Sequence, residues 1–136
     1  MMTNVLEPVI WIVDDDPAVR RALGRLVESV GLRAEAFATP EEFLSSGPAR
    51  EVGCLLLDIQ LPGMDGFELH DRMVKAGMRV PVIFITAHPD IHSRAKARRE
   101  DVVAFLKKPF DDQTLFDALE LALDRVISGE AGLNPR

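Results

Sequence analysis

The residues best suited to chemistry stand directly after short apolar runs of the sequence. Three consecutive acids, residues 14–16, follow the first run, and Asp58 follows a later one. Thr86 ends another run, and Lys108 stands just beyond the last. Ligands of parallel α/β sheets bind outside the carboxyl ends of the strands. If the runs are such strands, these side chains are predicted to share one site.

A pocket that holds several carboxylates beside a lysine has a definite chemistry. Like charges a few ångströms apart raise each other's pKa, and a divalent cation with oxygen ligands relieves the repulsion. Mg²⁺ is the predicted cation, because it takes one or two carboxylates and leaves positions for phosphate oxygens. Asp58 is then a candidate nucleophile for phosphoryl transfer, with Thr86 and Lys108 stabilising the transferred group.

Five runs of strand length would position these side chains. In chain order they cover residues 9–13, 33–37, 54–57, 80–85 and 102–106, and the second of them is the least apolar. Continuous apolar runs, rather than alternating ones, are typical of strands covered on both faces. The runs therefore predict a parallel sheet.

Helix signals stand between the runs. Asp16 offers an N-cap before a proline, and Thr39 and Asp65 are each followed three residues later by a glutamate. Gly31 and Gly77 are predicted stop signals, and a last helix is expected from near residue 111 to near residue 129. Strand and helix thus alternate five times, which predicts a doubly wound α/β fold, (βα)5, with a five-stranded parallel sheet and right-handed crossovers.

The fourth predicted helix, residues 90–101, has little to anchor it. It offers a core only Ile91 and two alanines, so looser packing than in the other helices is expected. Its basic residues are typical of a solvated helix face, or of a surface for a partner; they are Arg94, Lys96, Arg98 and Arg99.

The three histidines are assigned no metal or catalytic role. His88 and His92 have the spacing of a metal pair on a helix, but Pro89 interrupts that helix and no cysteine stands nearby. Solvated or capping positions are expected for both. His70 is expected on the surface of the third helix.

Composition excludes several classes of function. The 136 residues include 16 Lys and Arg against 22 Asp and Glu, a formal net charge of -6, so no direct nucleic-acid binding by this chain is expected. Cys54 is the one cysteine and lies in an apolar run, which predicts a small buried hydrophobe. With neither a membrane-spanning run nor a signal peptide, the sequence predicts a cytoplasmic protein that does not contact membranes.

Four sequence blocks, in this order and spacing, resemble the response-regulator receiver domain of bacterial two-component systems. They are IVDDDP at 12–17, LDIQLPGMDG at 57–66, FITA at 84–87 and FLKKPF at 105–110. The resemblance runs from about residue 9 to residue 127 and implies the flavodoxin-like receiver fold.

The resemblance also implies roles for three acidic residues of the site and for Gln60. Asp58 would be the phospho-acceptor, and Asp15 a direct Mg²⁺ ligand. Asp14 would act on the metal largely through water, and Gln60 would be a ligand through its backbone carbonyl.

Three further residues receive roles in the same way. Thr86 and Lys108 would hold the phosphoryl oxygens, and Phe105 would be the switch aromatic that moves together with Thr86. A lysine directly before proline is the family pattern, which selects Lys108 over Lys107 and implies a cis Lys108–Pro109 bond.

As a receiver, the chain would take a phosphoryl group from the phosphohistidine of a sensor histidine kinase and would not be a turnover enzyme. Its signal would pass through the surface of the fourth helix, fifth strand and fifth helix, by homodimerisation or by contact with an output domain or downstream protein. Residues 1–128 are the predicted receiver domain, and 129–136 a flexible tail or the start of an interdomain linker.

The sequence leaves four functional hypotheses to compare. Two are versions of the receiver hypothesis, and two are other classes of protein. The blocks HPD at 88–90 and KKPFD at 107–111 look most like receivers that precede a LuxR-type helix-turn-helix domain, although a stand-alone receiver is the alternative. A Mg²⁺-dependent phosphohydrolase with an aspartyl nucleophile would carry a second Asp where Gln60 stands. A flavodoxin-like electron carrier would carry a phosphate-binding loop where residues 14–16 are acidic.

Overall fold

Strands and helices alternate five times along the chain, as predicted. The structure, a computed structural model, describes residues 7–48 and 52–128. The elements are β1 (Val9–Val13), α1 (Pro17–Ser29), β2 (Arg33–Phe37), α2 (Pro40–Ser45), β3 (Gly53–Asp58), α3 (Gly66–Lys75), β4 (Val82–Thr86), α4 (Ile91–Lys96), β5 (Val102–Lys107) and α5 (Asp112–Ser128). The predicted tail or linker at 129–136 lies outside the described residues.

All five strands form one parallel sheet in the order β2-β1-β3-β4-β5. In its register Val13 lies beside Leu57, and Asp58 lies beside Ile85. Thr86, the last residue of β4, lies beside Lys107 at the end of β5. The carboxyl ends of β1, β3, β4 and β5 therefore meet along one edge of the sheet.

Each face of the sheet is covered by a separate apolar core. One core contains Trp11, Phe43, Phe67 and Phe84 and lies under α2 and α3. The other contains Ile12, Leu23 and Leu119 and lies under α1 and α5. Every residue of β1, β3 and β4 is buried, which explains why these strands have continuous apolar sequences. Cys54 is buried in β3, and burial raises the pKa of its thiol to about 12.

The predicted caps fix where three helices begin. Asp16 accepts a hydrogen bond from the backbone N–H of Ala18, and Thr39 accepts one from Glu42. Asp65 and Glu68 form a complete capping box at the start of α3. These caps satisfy backbone N–H groups in the first turn of each helix.

The fourth helix is shorter than the predicted 90–101. Asp90 caps its start by accepting from the backbone N–H of Ser93, but α4 ends at Lys96. The chain then turns back toward β5 through backbone bonds from Arg99 N to Ala97 O and from Val102 N to Arg99 O. Among the described side chains of 90–97, only Ala97 is buried.

Two cationic side chains of the segment 90–101, which were predicted to be solvated, pack against an aromatic ring. The guanidinium carbon of Arg99 and the Lys96 Nζ both lie 5.4 Å from the centre of the Phe67 ring. Arg99 also donates to Asp71 Oδ1 at 2.7 Å, so its head group is not a free solvated charge. The prediction of a solvated face is therefore wrong for Arg99, which is partly buried and paired, whereas Arg94, Lys96 and Arg98 are exposed as predicted.

The prediction that His70 lies on the surface is wrong. His70 is only 3% exposed and packs edge-on against Phe84 of β4, with ring centres 5.9 Å apart. Phe67, His70 and Met73 recur every three residues on the core-facing side of α3, and this spacing is the sequence signal that predicts burial.

Within the described residues, no helix is both long and apolar enough to cross a lipid bilayer.

Candidate functional site

Three carboxylates meet at the carboxyl edge of the sheet. Asp14 and Asp15 follow β1, and Asp58 ends the neighbouring strand β3. One carboxylate oxygen of each residue lies within 4.8 Å of the others. Asp14 and Asp58 are buried, at 1% and 5% exposure, whereas Asp15 is exposed. The structure thus brings together the three acids that the sequence predicted to share a site.

Lys108 is the basic partner of this cluster. Its Nζ donates to Asp14 Oδ2 at 2.8 Å and to Asp58 Oδ2 at 3.3 Å. The Lys108–Pro109 peptide bond is cis, as the resemblance implied, and the Lys108 backbone N–H donates to the Thr86 carbonyl. Lys107 is exposed, so the selection of Lys108 is the one that matches the geometry.

The electrostatics of the pocket disfavour the charge of Asp58. Burial, reinforced by the nearby Asp14 carboxylate, raises the pKa of Asp58 to about 6, although Lys108 opposes that shift. Burial alone would lower the pKa of Lys108, but its hydrogen bond to Asp14 and its attraction to both acids raise that pKa overall. One lysine therefore only partly balances the carboxylates that surround it.

Backbone contacts fix the two acid-bearing loops. Asp14 Oδ1 accepts from the backbone N–H of Asp16 at 2.9 Å, and Arg20 donates to the Asp14 carbonyl at 2.8 Å. The backbone N–H of Gln60 donates to Asp58 Oδ1 at 3.1 Å. These bonds hold one oxygen of each buried acid and leave the other facing Lys108.

A glycine lets the start of α3 approach the strand end that carries Asp58. A Cβ atom on Gly66 would lie 2.6 Å from the Asp58 carbonyl oxygen and 3.0 Å from the Ile59 Cα. The backbone N–H of Gly66 donates to the Ile59 carbonyl at 3.0 Å. Only a residue without a side chain permits this close approach.

Thr86 is fully buried at the end of β4, and its hydroxyl is already hydrogen-bonded. Its Oγ1 donates to the Gln60 side-chain Oε1 at 2.7 Å and accepts from the His88 backbone N–H at 3.0 Å. This role of the Gln60 side chain was not predicted; the resemblance implied a role only for its backbone carbonyl. No local pattern links two residues that are 26 positions apart.

Phe105 lies on β5 and is only partly buried. Its ring packs against the core that contains Phe67 and Phe84, and the guanidinium carbon of Arg94 lies 5.0 Å from the ring centre. The ring is therefore placed between β4 and the α4 segment. The predicted movement of Phe105 together with Thr86 stays a prediction.

The donor set fits a hard divalent cation. The cluster offers oxygen atoms from two buried acids and one exposed acid, which are ligands that Mg²⁺ prefers. Asp15 is open to solvent, so a cation there could keep water ligands. His88 and His92 are exposed and lie outside this cluster of three acids.

Comparison with known proteins identifies this arrangement. A family model described as the response regulator receiver domain matches residues 10–120. Response regulator protein TmoT of Ectopseudomonas mendocina is 40% identical over 120 residues, which are 88% of this chain and 54% of that protein. Transcriptional regulatory protein FixJ of Bradyrhizobium diazoefficiens is 35% identical over 114 residues, which are 84% of this chain and 56% of that protein.

Solved structures agree with the sequence relatives. Response regulator StyR superposes with a TM-score of 0.81 at 34% identity, covering 91% of this chain and 63% of that one. The FixJ-N crystal structure superposes with a TM-score of 0.79 at 30% identity, covering 90% of this chain and 96% of that one. The chain spans about half the length of the curated relatives it matches. With the family model matched across both strand ends that carry the acids, the chain belongs to the receiver-domain family of two-component response regulators.

Proposed function

We propose that this chain is a phospho-accepting signalling switch whose acceptor is Asp58. The observation that carries the proposal is the position of the Asp58 carboxylate, which lies in one cluster with Asp14 and Asp15 and 3.3 Å from the Lys108 Nζ. This arrangement supplies a nucleophile and opposing charges for a phosphoryl group in a space of a few ångströms.

In the proposed reaction an Asp58 carboxylate oxygen attacks the phosphorus of a phosphohistidine on a sensor histidine kinase. A phosphorus–oxygen bond forms as the phosphorus–nitrogen bond breaks, and the electron pair of the broken bond stays on the imidazole nitrogen. Asp58 gains no proton, so it must be ionised when it attacks. With a pKa raised to about 6, it is mostly ionised at neutral pH.

Lys108 and Thr86 would then hold oxygens of the transferred group. Lys108 is already within hydrogen-bond distance of Asp58, so its ammonium can follow the charge as it moves onto the phosphoryl oxygens. Thr86 ends the adjacent strand and offers the hydroxyl. Movement of Thr86 would leave space for Phe105.

The metal in this proposal is Mg²⁺, held by Asp14, Asp15, Asp58 and the Gln60 backbone carbonyl. It would supply positive charge that offsets the repulsion between the carboxylates and the incoming phosphoryl oxygens. Asp15 is the exposed member and would be the direct ligand, whereas Asp14 already accepts from Lys108 and would act largely through water.

The signal would leave the molecule through α4, β5 and α5, by homodimerisation or by contact with an output domain. Regulation of transcription is proposed because relatives include proteins named as transcriptional regulators, such as FixJ and TdiR. A separate output domain, with the receiver at residues 1–128 and a linker from 129, belongs to this proposal, and a cytoplasmic location stays a prediction.

The phosphohydrolase alternative has less support. It would need an acid or base two residues beyond the nucleophile, and that residue is Gln60, whose amide oxygen accepts from Thr86. A glutamine amide neither gives nor takes a proton in this pH range. We therefore propose that the chain accepts a phosphoryl group without acting as a turnover enzyme.

Binding of beryllofluoride, a phosphoryl mimic that does not hydrolyse away, tests the proposal. Fluorine NMR should show a bound signal for the wild-type chain with Mg²⁺ and none after addition of EDTA. Asp58→Asn should abolish the signal, whereas Asp117→Asn, on the exposed surface of α5, should leave it unchanged. Binding that persists in Asp58→Asn would contradict the assignment of the acceptor.

A further inference from the structure

We infer that the Gln60 side chain is a positioning residue that holds Thr86 in its resting conformation and so opposes the switch. This inference rests on the proposed function, because it concerns the equilibrium that phosphorylation of Asp58 would shift. The contact that carries it is the hydrogen bond of 2.7 Å from Thr86 Oγ1 to Gln60 Oε1.

The number of hydrogen bonds that the Thr86 hydroxyl can donate determines what this contact does. A threonine hydroxyl has one proton to donate. The His88 backbone N–H already donates to Thr86 Oγ1 at 3.0 Å, so the oxygen serves as acceptor on that side. The single hydroxyl proton is directed to Gln60, and it cannot be donated to a phosphoryl oxygen on Asp58 at the same time.

Gln60 contacts both the acceptor and the switch residue. Its backbone N–H donates to Asp58 Oδ1 at 3.1 Å, while its side chain accepts from Thr86. The backbone bond holds the Gln60 main chain beside Asp58, and from there the side-chain amide reaches Thr86. A rearrangement at Asp58 is thereby linked to release of Thr86 through one residue.

The structure also offers a place for the released side chain. Gln60 borders an open groove of about 520 Å³ between the β3–α3 loop and α4, whose other walls include Leu61, His92 and Lys96. The groove is solvent-accessible, so the freed amide can exchange its bond to Thr86 for bonds to water. When the switch breaks this bond, the exposed Gln60 amide is therefore hydrated and is not left buried without a partner.

Beryllofluoride affinity in the presence of Mg²⁺ tests the inference. Gln60→Met keeps the length and the backbone carbonyl of the residue but removes the amide acceptor. One neutral hydrogen bond has a modest net free energy, so Gln60→Met should bind beryllofluoride roughly two- to tenfold more tightly than the wild type. Gln113→Met, the same exchange at an exposed glutamine of α5 that bonds Asp117, should not change the affinity.

A second background separates this contact from general effects of the substitution. In Thr86→Val the donor is absent, so the added Gln60→Met exchange should have no further effect on affinity. In the unliganded protein, Gln60→Met should also move the His88 amide resonance toward its position in the beryllofluoride complex.

These measurements separate failure of the inference from failure of the proposed function. Equal or weaker binding by a folded Gln60→Met protein would overturn the inference and leave the proposed function standing. If Gln60→Met raised the beryllofluoride affinity equally in the wild-type and Thr86→Val backgrounds, the inference would be overturned as well. Failure of the wild type to bind beryllofluoride would overturn the proposed function and the inference together.

Discussion

Asp58 is held where its charge is opposed by its surroundings. It is 5% exposed, lies in one cluster with Asp14 and Asp15, and has a pKa raised to about 6 by burial and by Asp14. Reactive groups at functional sites commonly reduce folding stability in this way. Asp58, the proposed phospho-acceptor, is therefore expected to lower the free energy of unfolding.

Asp58→Asn should accordingly raise the free energy of unfolding. The amide keeps the size of the side chain and removes one negative charge from the cluster, while Lys108 keeps its bond to Asp14. We expect a gain of about 1 kcal/mol near neutral pH, measured by urea unfolding in EDTA. Asp124→Asn, an exposed change on α5, should have an effect within about 0.5 kcal/mol of zero. A loss of stability in Asp58→Asn would contradict the electrostatic account.

His70 is neutral in the native protein for a geometric reason. Arg99 Nη1 lies 3.0 Å from His70 Nδ1, and a guanidinium only donates, so Nδ1 must be the accepting nitrogen. The other nitrogen, Nε2, faces Asp101 Oδ2 at 3.5 Å. Burial and then Arg99 lower the pKa of His70 below its ordinary value of 6.5, against the opposing effects of Asp101 and Asp71.

This shift predicts the direction of a pH effect on stability. Because the native state favours neutral His70, its contribution is complete above pH 6.5 and is lost as the pH falls below that value. The contribution of Asp58 to the pH dependence of stability has the opposite sign. Its raised pKa makes the native state bind a proton more readily than the unfolded state between about pH 6 and pH 3.8. The measurement therefore belongs in the Asp58→Asn background.

In the Asp58→Asn background, the free energy of unfolding should decrease as the pH is lowered from about 7.5 to about 5.5. Adding His70→Asn should make the fall smaller, because the asparagine amide can accept from Arg99 but does not titrate. His92→Asn, at an exposed histidine, should leave the fall unchanged. A His70→Asn protein with the same pH dependence as its parent would refute the assignment.

At the scale of elements, the β3–α3 connection depends on Gly66. Gly66→Ala would place a methyl group 2.6 Å from the Asp58 carbonyl oxygen, so either the helix or the strand end must move. We expect a loss of about 1–3 kcal/mol in urea unfolding. Gly24→Ala in α1 has nothing within 4 Å and should instead stabilise the protein by roughly 0.5–1 kcal/mol. Equal effects of the two alanine substitutions would show that the close approach is not constrained.

Helix α4 is held differently from its neighbour α3. Buried residues of α3 include Phe67, Leu69 and Met73. Among the described side chains of the shorter α4 and the turn after it, the contacts are those of Arg94, Lys96 and Arg99. Contacts of charged side chains with aromatic rings and carboxylates are weaker than extensive apolar burial. The surface proposed to change on phosphorylation thus contains the less firmly packed helix.

Hydrogen exchange should therefore be faster for α4 amides than for α3 amides in the native protein. Arg99→Ala removes the bond to Asp71 and the ring contact with Phe67, and should accelerate α4 further without changing α1. Similar protection factors in α3 and α4 would contradict the proposed difference in packing.

Sequence patterns predicted most elements because their signals are local. The two strands at 9–13 and 33–37 match their predicted bounds, and the caps at Asp16, Thr39 and Asp65 form as expected. The fourth helix was predicted too long, because its end depends on how the chain returns to β5. The surface prediction for His70 was wrong, because its three-residue spacing from Phe67 and Met73 places it on the core-facing side of α3.

At the scale of the whole molecule, the site arises from strand order. The sheet places β1, β3, β4 and β5 side by side, so residues far apart in sequence meet at one edge. Asp14 and Lys108, which are 94 positions apart, form a hydrogen bond there. The residue types and the α/β pattern were enough to predict this convergence.

Side-chain contacts across strands could not be predicted in the same way. The bond between Gln60 and Thr86 depends on rotamers and on the path of the loop after β3. The partners of Arg99 depend on where α4 ends and on the packing of α3 beneath it. Such contacts have no sequence period, so only the folded structure shows them.

The intact mass of the protein after incubation with acetyl phosphate and Mg²⁺ shows whether Asp58 accepts a phosphoryl group. We expect one added phosphoryl group on the wild type, none on Asp58→Asn, and none on the wild type in EDTA. Beryllofluoride binding, measured on the same preparation, shows whether a missing adduct reflects rapid hydrolysis. An adduct on Asp58→Asn, or a wild type that neither gains mass nor binds beryllofluoride, would contradict the account.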